Sequence, residues 1–195
     1  TAKLSEIRCG HNWRFGRRAA GTPELLAQLG QLYGFRVVIV PYAEYQGMEI
    51  SSTRIRFAVR EGRLADAAAM LGRPYSVRDT VIRGRGVGHT LDVATANLQP
   101  STEVLPPNGV YAVRVQAMGR TFNGVSNLGV HPTFADAVPD RALLETHLLD
   151  FDGDLYGQTI EVAFLARLRD ERAFASPEAL ARQIADDVRQ ASRFF

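Results

Sequence analysis

One cysteine, Cys9, stands in 195 residues, so no disulfide can form within the chain, and a reducing cytoplasm fits. No apolar run approaches the roughly 18 residues that a membrane-spanning helix needs. Thr1 to Gly10 carries no apolar stretch of the signal-peptide kind. We therefore expect a cytoplasmic chain with no membrane partner. Charge of either sign has little excess: the formal net charge is +2. Such a weak field gives no reason to expect a nucleic-acid partner. Internal repeats and low-complexity tracts are missing as well. What is present is ordinary for a globular protein: 46% hydrophobic and 23% charged residues. The length suits one large domain, or one domain and part of another.

The pattern changes near Gly72-Arg73-Pro74. Before it, helices and strands alternate. Thr22-Pro23 starts a helix, with Thr as N-cap and Pro at the first position. Leu25, Leu26, Leu29, Leu32 and Tyr33 recur at helical spacing, and Gly34 stops the run. Phe35 to Val40 reads as a strand buried on both faces, as in a parallel sheet. Ser51-Ser52 begins a helix carrying Ile55, Phe57 and Val59, and Leu64 to Leu71 makes another.

After Pro74 the chain reads as β. Candidate strands are Ser76 to Arg83, Gly109 to Met118, Thr121 to Asn127, Leu143 to Leu149 and Gln158 to Leu168. Gly119-Arg120 is expected to form a two-residue type II′ hairpin turn. Short strands with turns between them suggest a small barrel. Ser176-Pro177 starts a closing helix with an apolar stripe of Leu180, Ile184, Val188 and Ala191.

Three segments carry groups suited to chemistry. In Gly84 to Asn97, three alternate glycines (Gly84, Gly86, Gly88) let backbone approach a bulky anion. Thr95 and Asn97 then share one strand face and offer two neutral hard oxygens, which suit Mg²⁺ held together with phosphates. Alone, this segment reads first as a glycine-rich hairpin followed by a polar edge strand. In Glu145 to Phe151, Glu145 and His147 share a face opposite Leu144 and Leu148. A carboxylate there can take a proton from an alcohol; alone, it reads as a solvent-facing Glu. In Ser51-Ser52-Thr53-Arg54-Ile55-Arg56, hydroxyls and orphan N–H groups at a helix start precede two arginines. That suits phosphate, and equally suits plain N-capping.

In order, Ser51 to Arg56, Leu71-Gly72-Arg73-Pro74-Tyr75, Thr95-Ala96-Asn97-Leu98, Gly109-Val110-Tyr111, Pro132-Thr133-Phe134, Glu145 to Phe151 and Leu155-Tyr156-Gly157 resemble one family. It is the bacterial bifunctional riboflavin kinase/FMN adenylyltransferase, or FAD synthetase. The resemblance implies an α+β chain. Residues 73–195 would form a six-stranded Greek-key barrel, the riboflavin kinase domain, with a C-terminal helix outside it. Residues 1–72 would be the C-terminal part of a Rossmann-like α/β nucleotidyltransferase domain. It further implies ATP and riboflavin as substrates, FMN as product, and Mg²⁺ as cofactor. Thr95 and Asn97 would serve the metal and phosphates, Glu145 would be the base, and Gly84, Gly86, Gly88 and His89 would cover the nucleotide. Arg169 and Phe174 would lie on the flavin side, and Ser51, Ser52, Thr53, Arg54 and Arg56 would be what remains of the adenylyltransferase site.

Two departures stand out. The family's adenylyltransferase has a His-x-Gly-His signature, whereas His11, His89, His131 and His147 include no pair three apart. We expect no FAD synthesis from this chain alone. Asp92-Val93-Ala94 replaces the usual Gly-Phe-Pro before Thr-Ala-Asn, and Val87 and His89 stand where Arg or Lys is usual. Asp92 adds a negative charge near the phosphate side. The alternative to an active kinase is a barrel that binds flavin or nucleotide without turning it over.

Overall fold

The computed structural model describes residues 4–83, 95–130 and 142–195. The chain divides into two compact units, Thr1–Ser51 and Ser52–Phe195.

In the first unit, β1 (Glu6–Gly10) pairs in parallel with β2 (Arg36–Val40). Helix α1 (Pro23–Tyr33) connects them and packs on β2. Thr22 caps α1 as expected, its hydroxyl accepting from the Leu25 N–H at 3.3 Å. Gly34 ends it in the left-handed conformation at φ 77°. The expected burial of β2 on both faces is not met: Ile39 and Val40 are 39% and 45% exposed. The β1–β2 sheet has two strands among the described residues, and α1 packs on β2. A short hairpin, β3 (Glu44–Tyr45) with β4 (Met48–Glu49), follows.

The second unit opens with α2 (Ser52–Arg60) and α3 (Leu64–Leu71), separated at Gly62 with φ 72°. Six strands follow: β5 (Ser76–Thr80), β6 (Thr95–Leu98), β7 (Gly109–Ala117), β8 (Arg120–Val130), β9 (Ala142–Leu148) and β10 (Thr159–Arg169). They form one antiparallel sheet in the order β5-β10-β7-β8-β9-β6. The sheet curls until its ends meet, where the Ile82 N–H donates to the Asn97 carbonyl at 2.8 Å. Alternation along the strands drives the curl, because one face is apolar. Leu98, Tyr111, Val113, Val115, Phe122, Leu128, Leu144, Leu148, Val162 and Phe164 fill the inside. The buried hydroxyls of Ser126 and Thr146 satisfy each other there at 2.8 Å.

Helix α4 (Pro177–Ala191) covers part of the other face. Its Ala191 and Val188 pack with Val110, Ala112 and Val125, which point away from the inside. Ser176 caps α4 as expected, accepting from the Ala179 N–H at 3.3 Å.

The β7–β8 turn corrects one expectation. Ala117 pairs with Arg120, so the central residues are Met118 (φ 51°) and Gly119 (φ 71°). Two positive φ values make this type I′, not type II′ at Gly119-Arg120. Pairing of β8 with both β7 and β9 fixes the register, and that outweighs the roughly 1–2 kcal/mol a left-handed non-glycine residue costs.

Candidate functional site

Register across the sheet assembles the site. On β6 and β9, Thr95 stands opposite His147 and Asn97 opposite Glu145. On β9 and β8, Glu145 stands opposite Asn127. Asn127 is opposite Val110 on β7, and Val110 is opposite Arg169 on β10. Paired residues share a face, so Asn97, Glu145, Asn127, Val110 and Arg169 form one row. The row runs over the face away from the apolar inside, since Ala96, Leu98, Leu144, Thr146 and Leu128 take the other side. The alternation that puts leucines inside thereby puts Thr95, Asn97, Glu145 and His147 together outside.

Asn97 is the unusual member. It is only 7% exposed, and its side-chain Oδ1 is buried with no hydrogen-bond partner among the described residues. A buried unpaired acceptor costs about 1–3 kcal/mol, so native proteins keep few. Glu145 is half-buried beside it, and its carboxylate makes no hydrogen bond or ion pair among the described residues. Thr95 is exposed two residues away on the same face. No group of three His, Cys, Asp or Glu that could hold a metal occurs among the described residues. A cation here would rest on neutral oxygens and on what the ligand brings.

Arg169 has partners within the fold. Its Nε and one terminal nitrogen grip Asp187 of α4 at 2.9 and 2.7 Å, and its other nitrogen donates to the Asp170 carbonyl at 2.9 Å. Asp187 is 2% exposed and also accepts from Gln183 at 2.7 Å. The Arg169 guanidinium therefore spends its donors on locking α4 to β10. Phe174 is near it, with the guanidiniums of Arg169 and Arg172 at 5.7 and 5.0 Å from the ring centre. Asp187 escaped the sequence reading although a signal existed. It sits between Ile184 and Val188 on the apolar stripe of α4, where an acid requires a buried cation.

Glu171 and Asn127 were also missed. The Asn127 side-chain amide donates to Glu171 Oε1 at 3.0 Å. A Cβ at Gly129 would lie 2.3 Å from that same oxygen, so the carboxylate rests on the bare glycine backbone. Only tertiary structure brings residue 171 over β8.

Of the remaining sequence candidates, Ser52, Thr53, Arg54 and Arg56 lie on α2, while Ser51 precedes it in the first unit. Arg56 lines an open cleft of about 370 Å³ with Ile55, Tyr75, Thr102, Glu103 and Val104, and no member of the Asn97–Glu145–Asn127 row lines it. Gly84, Gly86, Gly88, His89, Asp92-Val93-Ala94 and Pro132-Thr133-Phe134 lie outside the described residues. In the first unit, Cys9 is buried, and Trp13 stacks on Phe15 at 4.9 Å while staying 40% exposed.

Comparison with known proteins agrees with this geography. The family model described as FAD synthetase matches residues 1–54. The bifunctional riboflavin kinase/FMN adenylyltransferase of Escherichia coli (strain K12) is 39% identical over 194 residues, covering 99% of this chain. The protein of that name from Buchnera aphidicola subsp. Acyrthosiphon pisum is 36% identical over 193 residues, covering 98% of this chain. The chain spans 61% of the length of each. A crystal structure described as a macrolide-efflux protein from Streptococcus pneumoniae superposes with a TM-score of 0.78 at 32% identity, over 95% of this chain and 59% of that one. Among the described residues no helix is long and apolar enough to cross a membrane. The family model described as riboflavin kinase matches residues 71–195, which is more than half of the sequence and takes in the whole six-stranded sheet, and the chain belongs to that family.

Proposed function

We propose that this chain transfers the γ-phosphoryl group of ATP to the 5′-hydroxyl of riboflavin, giving FMN and ADP. The observation that carries the reading is the buried, partnerless Oδ1 of Asn97 directly across from Glu145, within the stretch that matches the riboflavin kinase family. Phosphoryl transfer asks a protein mainly for positioning and charge stabilisation. Thr95 and Asn97 would hold Mg²⁺ jointly with the phosphates. The fit is chemical: a threonine hydroxyl and an amide carbonyl are hard neutral oxygens, and the amide oxygen has no other partner among the described residues. The ion, when bound, offsets phosphate charge. Glu145 takes the proton as the alcohol oxygen bonds to the γ-phosphorus and the bridging oxygen leaves with ADP. Its place one strand from Asn97 sets the base beside the phosphate side.

The same reading takes residues 73–195 as the kinase domain, a Greek-key barrel. The strand order, with β10 returning beside β7, and the Ile82–Asn97 bridge support it. Residues 1–72 are then part of a Rossmann-like nucleotidyltransferase domain, supported by the parallel β1–β2 pair and the α1 crossover. Arg54 and Arg56, with Ser52 and Thr53 on α2, would be what remains of its phosphate-binding helix start. Arg169 serves the flavin side indirectly, by holding the segment that carries Phe174.

Incubation with riboflavin and Mg-ATP, followed by chromatographic separation of flavins, tests the proposal. We expect FMN and no FAD. Riboflavin binding without FMN would favour a non-catalytic barrel.

A further inference from the structure

We propose that Asn127, its amide turned by Glu171, is a specificity residue that reads a second hydroxyl of the alcohol substrate. This rests on the kinase reading above. A side-chain amide can offer either its NH₂ or its oxygen, and the two demand opposite partners. Here Glu171 decides. A carboxylate is an acceptor only, so it takes the NH₂ at 3.0 Å. That leaves Oδ1, the only acceptor of the side chain, and the second N–H for the rest of the face. Glu171 is itself exposed, yet its carboxylate is seated on Gly129 so closely that a Cβ there would lie 2.3 Å away. Gly129 shares the Asn127 face of β8, two residues on. An exposed acid pressed onto a glycine and hydrogen-bonded to an amide is a placed group.

Asn127 stands directly opposite Glu145. The face thus presents acceptors from two neighbouring strands, whose backbones lie about 4.8 Å apart. Proton removal from one alcohol needs Glu145 alone. A second acceptor is useful only when the substrate carries a second O–H donor, as a polyol does. A site that hydrogen-bonds a hydroxyl rejects analogues lacking it, because its own polar group is then left unpaired. Asn127 is half-buried, so the expected discrimination is moderate.

The test compares riboflavin with a flavin whose N10 chain is 5-hydroxypentyl, which keeps the primary alcohol and lacks the secondary ones. Wild type should prefer riboflavin in kcat/KM by about tenfold or more. Asn127→Ala should raise KM for riboflavin by roughly tenfold, with KM for the analogue moving far less. Glu171→Ala should lose part of the preference, since the amide can then turn over. Glu171→Gln keeps an acceptor oxygen and should restore the preference. Thermal melts of the Glu171 variants, at an exposed position, check folding. The inference is overturned if wild type shows no preference, if Asn127→Ala keeps it, or if Glu171→Gln behaves like Glu171→Ala. A wild-type chain that phosphorylates neither flavin overturns the kinase reading, and this inference with it. Phosphorylation of riboflavin with an unaltered preference in Asn127→Ala overturns this inference only.

Discussion

The row across the sheet has two polar ends that differ in one respect. At the β10 end, half-buried Arg169 and buried Asp187 are engaged: each guanidinium nitrogen has an oxygen, and Gln183 adds a further bond to Asp187. At the β6 end, Asn97 is buried with an acceptor that meets nothing, beside a Glu145 that makes no ion pair among the described residues. The first cluster stabilises the fold, because its polar groups are spent within the protein. The second stores unmet hydrogen-bonding capacity, which a ligand can recover. Satisfaction separates the two better than residue type does. Arg169, through its partners, fastens α4 to β10.

The contrast can be broken by substitution, and the largest effect is expected at the unsatisfied end. Glu145→Gln should lower FMN formation by about 10²–10⁴-fold, the range for a general base, while flavin fluorescence titration shows nearly unchanged affinity. Unchanged turnover would remove Glu145 as the base. At the satisfied end, Asp187→Ala leaves a largely buried guanidinium unpaired and should cost about 3–5 kcal/mol in urea unfolding. A loss below about 1 kcal/mol would mean the pair behaves as an exposed one.

Smaller effects sharpen the comparison. Thr95→Val should weaken Mg-ATP binding about tenfold, roughly 1.4 kcal/mol, read by calorimetric titration. Stability should hardly move, since Thr95 is exposed. Asn97→Leu should leave the melting temperature of the free chain the same or slightly higher, because an unpaired buried amide is replaced by an apolar group. The upward shift of the melt on adding Mg-ATP should vanish in this variant. A large loss of stability without ligand would show that Asn97 is structural, like Asp187.

Much of this was legible because it is local. Thr22-Pro23 and Ser176-Pro177 start helices through their own side chains, and Gly34 ends one through its own φ. A two-residue period separates Val113 and Val115, which the fold puts inside, from Ala112 and Arg114 on the other face. The same period put Thr95 with Asn97, and Glu145 with His147. What failed depended on neighbours. The exposure of β2 follows from what packs on it, and the turn at Met118-Gly119 from register with two strands at once. Asn127 and Glu171 are 44 residues apart and meet only in the folded sheet.

By itself, the sequence determined the helix starts and most of the strands, which chemical side chains share a face, and a resemblance covering nearly the whole chain. Side-chain alternation and capping are short-range, and they are written in runs of a few residues. The tertiary structure alone decided that Asn97, Glu145 and Asn127 form one row, and that Arg169 belongs to Asp187. It also left the Asn97 oxygen without a partner. The reason is that pairing register and burial are properties of contacts between distant segments, and no local pattern encodes which polar atoms those contacts leave unmet.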